Sequence, residues 1–242
     1  MNRGIYATAT GMSAMQKWMD VVTNNLANAG TTGFKRDTVA FNDLLVRQMR
    51  ADGGAGAPLG GLGSGSIPMR QGTVFERGPL ATTNNPLDLA IDSDQGLFAI
   101  EQPGSGRRYY TRDGSFRLDE DYRLVTKTGD FVLDDSGSPI TLGPGKIAVA
   151  EDGTVTLDDQ PSGRIGVWDG TFVKSGHNLF TSTDAQSTDA SLKAGALEGS
   201  NVNAVEAMIE MIKLGRIFEL SQKSIQQQDE LTGRLIQSLQ DR

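Results

Sequence analysis

The sequence has no cysteine and only one histidine, and these two absences exclude several classes of protein. Without cysteine the chain cannot form a disulfide scaffold, a thiolate metal site or a thiol nucleophile. His177 is the only imidazole, so metal sites that need several histidines are excluded as well.

Basic residues and long apolar runs are also scarce. The chain has 23 Lys and Arg against 30 Asp and Glu, a formal charge of −7, which argues against a nucleic-acid partner because phosphate binding depends on clustered cations. No stretch reaches the roughly 20 apolar residues of a membrane-spanning helix. Residues 1–16 do not resemble a secretory signal. We therefore expect no membrane insertion, and a cytoplasmic location unless export proceeds without a cleaved signal.

Glycine, by contrast, is abundant. The chain has 30 glycines in 242 residues, above the usual share of about 7%. Seven of them fall in Ala51–Ser66, which reads ADGGAGAPLGGLGSGS. Such a composition buries too little apolar area to offset its ordering entropy, so we expect a flexible connector here.

A long helix is predicted at the N-terminus. Apolar residues recur there at helical steps of three and four, and Gly30 and Gly33 follow where glycines end helices. The opposite side is polar, so this helix must be covered by something. The apolar positions are Ile5, Ala9, Met12, Met15, Met19, Val22 and Leu26.

A second, longer helix is predicted from Asn203 to Gln240. Asn203 and Glu206 have the spacing of a capping box, and no proline follows before Gln240. About 38 residues would make a helix of roughly 57 Å, a length typical of coiled coils. Its apolar residues occupy more than one side, which favours packing against neighbours in other molecules.

The region between the helices predicts an antiparallel β-domain. Short alternating runs are separated by turn-forming pairs such as Asp113-Gly114 and Asp152-Gly153. The predicted strands are Leu87–Ile91, Gly96–Glu101, Arg108–Arg112, Ser115–Leu118, Tyr122–Thr126, Phe131–Leu133, Lys146–Ala150, Thr154–Leu157, Arg164–Trp168 and Thr171–Lys174.

Three motifs suggest chemistry and are better explained as turns. Gly143–Ala148 matches G-x-G-x-x-A, but a strand-like run follows where a dinucleotide site needs a helix. His177 lies in a polar turn with no nucleophile beside it. The acidic groups Asp119–Asp121 and Asp134-Asp135 do not fit a calcium loop and fall at predicted hairpin turns. We expect no catalytic, cofactor or metal site.

Four blocks of sequence resemble the rod and hook family of bacterial flagellar axial proteins. The first is NNLANAGTTGFKR at Asn24–Arg36, and two more, NPLDLAI at Asn85–Ile91 and YTRDGSF at Tyr110–Phe116, resemble the central β-domain of that family. The last, GALEGSNVN at Gly195–Asn203, resembles the start of its C-terminal helix. The blocks occur in the family's order and cover most of the chain.

The resemblance implies a mixed, mainly β fold: an antiparallel β-rich domain between two long helices that form a coiled-coil-like layer. The implied domains are an N-terminal axial helix at 1–33, a Gly-rich inter-subunit connector at 34–71, a β-rich outer domain at 72–195 and a C-terminal axial helix at 196–242. The connector would bridge neighbouring subunits. The chain's shortness favours the proximal over the distal rod subunit.

The function implied is that of a structural subunit of the flagellar basal-body rod, which self-assembles into a hollow helical tube that transmits motor torque. Its implied partners are other copies of itself, neighbouring rod and hook proteins, and the type III export apparatus, which would export it without a cleaved signal peptide. No enzymatic activity or cofactor is implied.

The resemblance also implies an assembly interface made by both ends of the chain. In the free monomer the terminal segments would lack partners and be largely disordered, and they would order on assembly. The interface residues are Ile5, Met12, Met19, Val22, Asn25, Leu26, Asn28, Thr32, Gly33, Phe34, Asn201, Val202, Ile209, Ile212, Leu220, Ile225 and Leu235.

Two other functions fit the same sequence features. One is a ligand-binding β-domain with helical dimerisation arms, which needs a convergent polar pocket. The other is a soluble coiled-coil adaptor with a discrete oligomeric state. Sedimentation at several concentrations would distinguish a closed oligomer from an open polymer.

Overall fold

The computed structural model of the protein describes residues 3–41, 46–50, 58–63 and 69–240, and side-chain burial for residues 8–40, 71–234 and 237. The chain divides into two compact units. The terminal unit contains Met1–Leu26, Asp37–Gly72 and Asn203–Arg242, and the central unit contains Ala27–Arg36 and Thr73–Val202. Residues 27–36 are thus a short insertion of the N-terminal region into the central unit.

The two predicted helices are confirmed nearly residue for residue. Helix α1 is Arg3–Ala27 and helix α2 is Ala204–Gln240. The side chain of Asn203 caps α2, because its Oδ1 accepts hydrogen bonds from the backbone N–H groups of Val205 (3.0 Å) and Glu206 (3.3 Å). The predicted cap is therefore the observed one.

The rest of the described chain is mostly β-structure, so the expectation of a mainly β fold with a long helix near each end is confirmed. The strands are β1 Asp37–Phe41, β2 Val46–Arg50, β3 Pro58–Gly63, β4 Met69–Thr73, β5 Leu80–Thr82, β6 Leu89–Ile91, β7 Leu97–Glu101, β8 Arg108–Thr111, β9 Phe116–Leu118, β10 Leu124–Thr126, β11 Phe131–Val132, β12 Ile147–Val149, β13 Thr154–Leu157, β14 Gln160–Arg164, β15 Val167–Asp169, β16 Val173–Gly176, β17 Leu179–Thr181, β18 Gln186–Thr188, β19 Leu192–Ala194 and β20 Ala196–Glu198.

Antiparallel pairing organises the central unit. Its main sheet has nine strands, seven in the order β16-β17-β8-β7-β11-β10-β9, with β15 pairing to β7 and β18 pairing to β15. A three-stranded sheet, β12-β13-β14, and the pairs β19-β6 and β20-β5 complete the unit. In the terminal unit β2 pairs with β3, and β1 pairs with β4.

Strand β7 lies between two apolar clusters. Phe98 belongs to one cluster and meets Phe116 edge to face, with ring centroids 5.1 Å apart. Leu97 and Ala99 point the other way, into a second cluster that also holds Phe180. Because successive side chains of a strand face opposite sides, β7 is buried on both faces and reads as a continuous apolar run.

The structure corrects one interval between predicted strands. Pro161-Ser162-Gly163 are typical turn residues and fall between the predicted strands Thr154–Leu157 and Arg164–Trp168, but in the structure they lie inside β14. The turn lies instead at Asp158 and Asp159, whose φ angles of 49° and 64° are left-handed, a conformation that Asp tolerates better than most residues. Strands β17–β20, each three residues long, were not predicted from the sequence.

The expectation of unstructured chain in Ala51–Ser66 does not hold for Pro58–Gly63, which form β3. Their partners are the residues of β2, in an antiparallel register that places Gly61 opposite Gln48 and Gly63 opposite Val46. Residues 51–57 and 64–66 of the predicted connector lie outside the described ranges.

Neither α1 nor α2 offers a segment apolar enough to cross a membrane, over the residues that the structure describes. In those same residues no three His, Asp or Glu side chains gather closely enough to hold a metal ion.

The double-sided burial of β7 predicts a large effect of core truncation. Phe98→Ala removes a ring that is fully buried, so we expect a loss of about 3–5 kcal/mol in the free energy of unfolding of the central unit. Urea unfolding followed by circular dichroism measures this loss. The control Val173→Ala, at a side chain that is 64% exposed, should change stability by less than about 0.5 kcal/mol. Equal effects of the two variants would contradict the assigned core.

Candidate functional site

The segment that follows α1 passes through the central unit in a conformation that only glycine suits. Gly33 has a φ of 66°, in the left-handed region. A Cβ on this residue would lie 2.5 Å from the carbonyl carbon of Arg112 and 2.5 Å from the backbone nitrogen of Asp113. The glycine therefore permits both the turn and the close approach of two backbones.

Segment Thr32–Arg36 is held there by residues from just before α2. The N–H of Gly33 donates to the carbonyl of Glu198 (2.7 Å), and the N–H of Asn201 donates to the carbonyl of Phe34 (3.2 Å). The Asn201 side chain accepts from the N–H of Arg36 (2.7 Å) and donates to the carbonyls of Val74 and Glu76. The stretches that adjoin the two helices are thus bonded to each other inside the central unit.

A buried ionic cluster lies at the centre of this contact. Glu198 Oε1 is 2.6 Å from Lys35 Nζ, and Glu198 Oε2 is 2.6 Å from Arg112 Nε. All three side chains are at most 1% exposed. We call the set formed by Thr32–Arg36, Glu76, Gly78, Arg112, Glu198 and Asn201 the junction.

Every charged group of the cluster has further hydrogen bonds. Glu198 Oε1 also accepts from the N–H of Gly78 (2.9 Å), and Lys35 Nζ donates to the carbonyl of Glu76 (2.7 Å). The guanidinium of Arg112 donates three further hydrogen bonds, to the carbonyls of Ile91, Ser93 and Gly96. Buried charges are tolerated only when they are paired and bonded in this way.

The cluster holds two cations and one anion, and the pKa directions follow from this. Burial alone would raise the pKa of Glu198, but the charge of Arg112 and the hydrogen bonds from Lys35 and Gly78 outweigh it, so the pKa lies below its ordinary 4.5. Burial lowers the pKa of Lys35 below 10.5, and the nearby Arg112 lowers it further, against the attraction of Glu198 and Asp94. Glu198 is therefore ionised at neutral pH.

Phe34 is anchored from the other side by hairpin β16–β17. The ring is 2% exposed, and Lys174 Nζ lies 4.0 Å from its centroid, a cation–π contact. The same ammonium donates to the carbonyl of Lys35 (3.0 Å), and Asn178 Nδ2 donates to the carbonyl of Thr32 (3.1 Å).

In the terminal unit, the side chain of Asn25 likewise holds a distant stretch of backbone by hydrogen bonds. Its Nδ2 donates to the carbonyl of Asp37 (2.8 Å), while its Oδ1 accepts from the N–H of the same residue (2.9 Å). The amide of Asn25 thus pairs with the backbone as a neighbouring strand would. This buried contact fixes the first residue of β1 against the last turns of α1.

Helix α2 has two apolar faces on opposite sides. Ala207 and Leu214 are 7% and 2% exposed, and half-buried residues continue their heptad spacing along the helix. We call Ala207, Met211, Leu214, Phe218 and Ile225 the covered face. On the other side of the helix, five apolar residues are each 47–65% exposed. We call them the outer face: Val205, Met208, Ile209, Ile212 and Leu220.

The predicted interface residues lie in the junction, on both faces of α2, and on or next to α1. The junction contains Thr32, Gly33, Phe34 and Asn201, while Ile209, Ile212 and Leu220 lie on the outer face and Ile225 on the covered face. On α1, Val22 and Asn25 are buried and Met12, Met19 and Leu26 half-buried; Asn28 and Val202 are also half-buried. The side chains of Ile5 and Leu235 lie outside the part of the structure that is described.

Sequence reasoning did not identify the ionic cluster. Lys35, Arg112 and Glu198 all lie in the quoted sequence blocks, and their place in those blocks is the signal that could have drawn attention to them. His177 is in the expected turn: with Asn178 it joins β16 to β17, at φ angles of 50° and 60°. The Gly143–Ala148 motif is followed by strand β12, as expected, and not by a helix.

Comparisons with known proteins match the two ends and the middle of the chain. Residues 5–35 match a family model described as flagella basal body rod protein. Residues 90–157 match one described as flagellar hook protein FlgE/F/G D1 domain. Residues 193–238 match one described as flagellar basal body rod FlgEFG protein C-terminal.

Relatives align over nearly the whole chain. A flagellar basal-body rod protein FlgF from Caulobacter vibrioides is 34% identical over 99% of this chain and 98% of its own length. A protein of Bacillus subtilis called flagellar basal-body rod protein FlgG is 34% identical over 98% of both chains. A FlgG from Borreliella burgdorferi is 33% identical over 96% of this chain and 97% of its own.

The junction predicts that Glu198→Gln is strongly destabilising. It leaves Lys35 and Arg112 buried without a counter-charge, so we expect a loss of about 3–5 kcal/mol in the free energy of unfolding at neutral pH. The control is Glu76→Gln, because the ion pair of Glu76 with Arg36 is exposed and its loss should cost less than about 1 kcal/mol.

The pH dependence of this loss has a definite sign. Since folding lowers the pKa of Glu198, the unfolded chain binds more protons just below pH 4.5, and the carboxylate's stabilisation is lost as pH falls through that range. The stability difference between wild type and Glu198→Gln should therefore shrink from about pH 6 to about pH 3. Urea unfolding at each pH measures it, and a constant difference would refute the assignment.

Proposed function

Because the chain belongs to the family of flagellar basal-body rod proteins and is a structural subunit of the rod, we propose that it polymerises through the outer face of α2 into a hollow tube that transmits motor torque. The observation that carries this proposal is the second apolar face of α2. A helix covered on one side and apolar on the other needs a further neighbour.

The partners follow from the family. The protein assembles with other flagellar rod and hook proteins, and its location is the flagellar basal body. We further propose that the type III export apparatus delivers it without a cleaved signal peptide. Relatives named FlgF and FlgG are both 34% identical to the chain, so identity favours neither name. The proximal position remains a proposal that rests on the chain's length.

The outer face suits an interface between subunits. Its five side chains span an arc of roughly 120° on a helix with 100° per residue. Burying one Ile side chain contributes about 1.5–3 kcal/mol, so a contact of several such residues is worth a large change in polymer affinity. Heterologous contacts of this kind generate open helical polymers when the rotation between subunits does not close.

The monomer's helices are proposed to order on assembly. The apolar face of α2 gains its full burial only when a neighbour arrives, and the ordering entropy of the helix is offset at that step. We propose that the predicted axial-helix domains, residues 1–33 and 196–242, are the parts of the chain that order on assembly. No catalytic role is proposed.

The exposure of the outer face predicts a separation between folding and assembly. Ile209→Ser and Ile212→Ser together should leave unfolding of the monomer nearly unchanged, because both side chains are about half exposed. They should raise the concentration needed for polymerisation at least about tenfold, since each lost contact exceeds 1.4 kcal/mol. Sedimentation and electron microscopy of filaments measure the effect. Gln222→Ser, exposed and off both faces, is the matched control.

Unchanged polymerisation in the double variant would refute the outer face as the assembly surface. A discrete oligomer in the wild-type protein, at all concentrations, would favour the coiled-coil adaptor over an open polymer.

We also propose that residues 34–71 bridge neighbouring subunits. Hairpin β2–β3 forms a separate two-stranded sheet, and an isolated hairpin is at best marginally stable in water. A neighbouring subunit would supply the missing contacts, and glycines opposite Val46 and Gln48 permit a close approach.

Bulky substitutions in β3 test this connector. Gly61→Val and Gly63→Val together should weaken polymerisation while the central unit keeps its unfolding transition, because β3 belongs to the terminal unit. Filament length and critical concentration give the result. The control pair is Gly30→Val and Gly163→Val, because neither residue has a left-handed φ and a Cβ there comes no nearer than 3.9 Å to another atom. Normal polymerisation in the β3 variant would show that the segment only links two parts of one chain and does not bridge subunits.

A further inference from the structure

Segment Thr32–Arg36 contacts the central unit as a bound peptide does. Residues 34–36 belong to no strand, and each of their three carbonyls accepts a hydrogen bond from a residue far along the chain, namely Asn201, Lys174 and Val74. Asn201, Asn178 and Lys174 each bond to its main chain, while Phe34 and Lys35 fill separate buried positions. Main-chain bonds combined with side-chain pockets are the usual means of peptide recognition.

The hydrophobic cores of the central unit form without this segment. One cluster is built from residues between Leu89 and Leu192, and the other from residues between Leu97 and Phe180. Phe34 is buried but belongs to neither cluster. The strands that carry both cores pair with one another through residues 80–198. None of these core and strand contacts is made by residues 32–36.

The charge balance leads to the same conclusion. Arg112 and Glu198 form a neutral, fully buried pair within residues 73–202, with Glu198 also held by the N–H of Gly78. Lys35 adds a second cation to a pair that is already neutral. Burial and the charge of Arg112 both disfavour the charged form of Lys35, so the charge balance of the Arg112–Glu198 pair does not require the segment.

We propose that residues 73–202 form a cradle that binds the sequence Thr-Gly-Phe-Lys-Arg as a peptide, and that the chain's own Thr32–Arg36 docks in this cradle and leaves it while the central unit stays folded. The cradle is formed by Glu76, Arg112, Lys174, Asn178, Glu198 and Asn201. Its ligand class is a peptide that turns at a glycine and continues with an aromatic residue and a lysine. This inference does not depend on the proposed function.

Gly33 provides the variant that empties the cradle. Gly33→Val in the full chain places a branched side chain against the backbone of Arg112 and Asp113 at a left-handed φ, so the segment cannot dock. The matched control is Gly30→Val, since a Cβ on Gly30 meets nothing within 4 Å. Phe34→Ala is a second variant, which weakens docking without a clash.

Hydrogen exchange in the full chain gives the first result. In Gly33→Val the amides of Gly33, Arg36 and Asn201 should exchange at least tenfold faster than in wild type, while those of β7 and β10 keep their protection. Gly30→Val should match wild type. If Gly33→Val and Phe34→Ala instead expose β7 and β10 to the same degree, the segment is an integral part of the fold and the proposal is wrong.

Peptide binding gives the second result. A fluorescent peptide with the sequence of residues 28–39 should bind Gly33→Val at least tenfold more tightly than it binds wild type or Gly30→Val, in which the chain's own segment occupies the cradle. The same peptide with Lys35→Glu should not bind. Failure of the unmodified peptide to bind Gly33→Val, or equal binding to wild type, would overturn the proposal.

Discussion

The carboxylate of Glu198 is the group on which the central unit depends. It pairs with both Arg112 and Lys35 where all three side chains are buried, and it comes from the last strand before α2. Two buried cations without it would each lack the compensation that a low-dielectric interior demands. Arg112 lies 86 residues and Lys35 163 residues before Glu198, so one side chain joins three distant parts of the chain.

The elements that could be predicted from sequence are those in which a local pattern and the tertiary environment agree. The stripe of α1, the Asn203 cap and the four residues of Thr154–Leu157 were all predicted from spacing alone, because neighbouring residues determine them. Strand β20 was not, since its three residues pair with β5 more than a hundred positions away. Non-local pairing leaves no periodic signal in so short a run.

The ionic cluster was beyond sequence reasoning for a different reason. A lysine, an arginine and a glutamate are ordinary surface residues, and nothing in their spacing shows that they meet. The resemblance to a family marked their surroundings as a signature without saying why. The structure supplies the reason: Gly33 permits the approach, Phe34 and Lys35 fill the site, and Glu198 compensates the charge.

The covered face of α2 constrains the path of any helix that packs along it. From Ala207 through Leu214 and Ser221 to Gln228 the less exposed residues repeat every seven positions, whereas a straight α-helix completes two turns in slightly more than seven residues. The seam therefore drifts by about 20° per repeat, roughly 60° over these three repeats. A companion helix that remains in contact with the seam has to wind around α2 with a left-handed sense. The spacing of four residues thus determines the sense in which a companion helix would wind around α2.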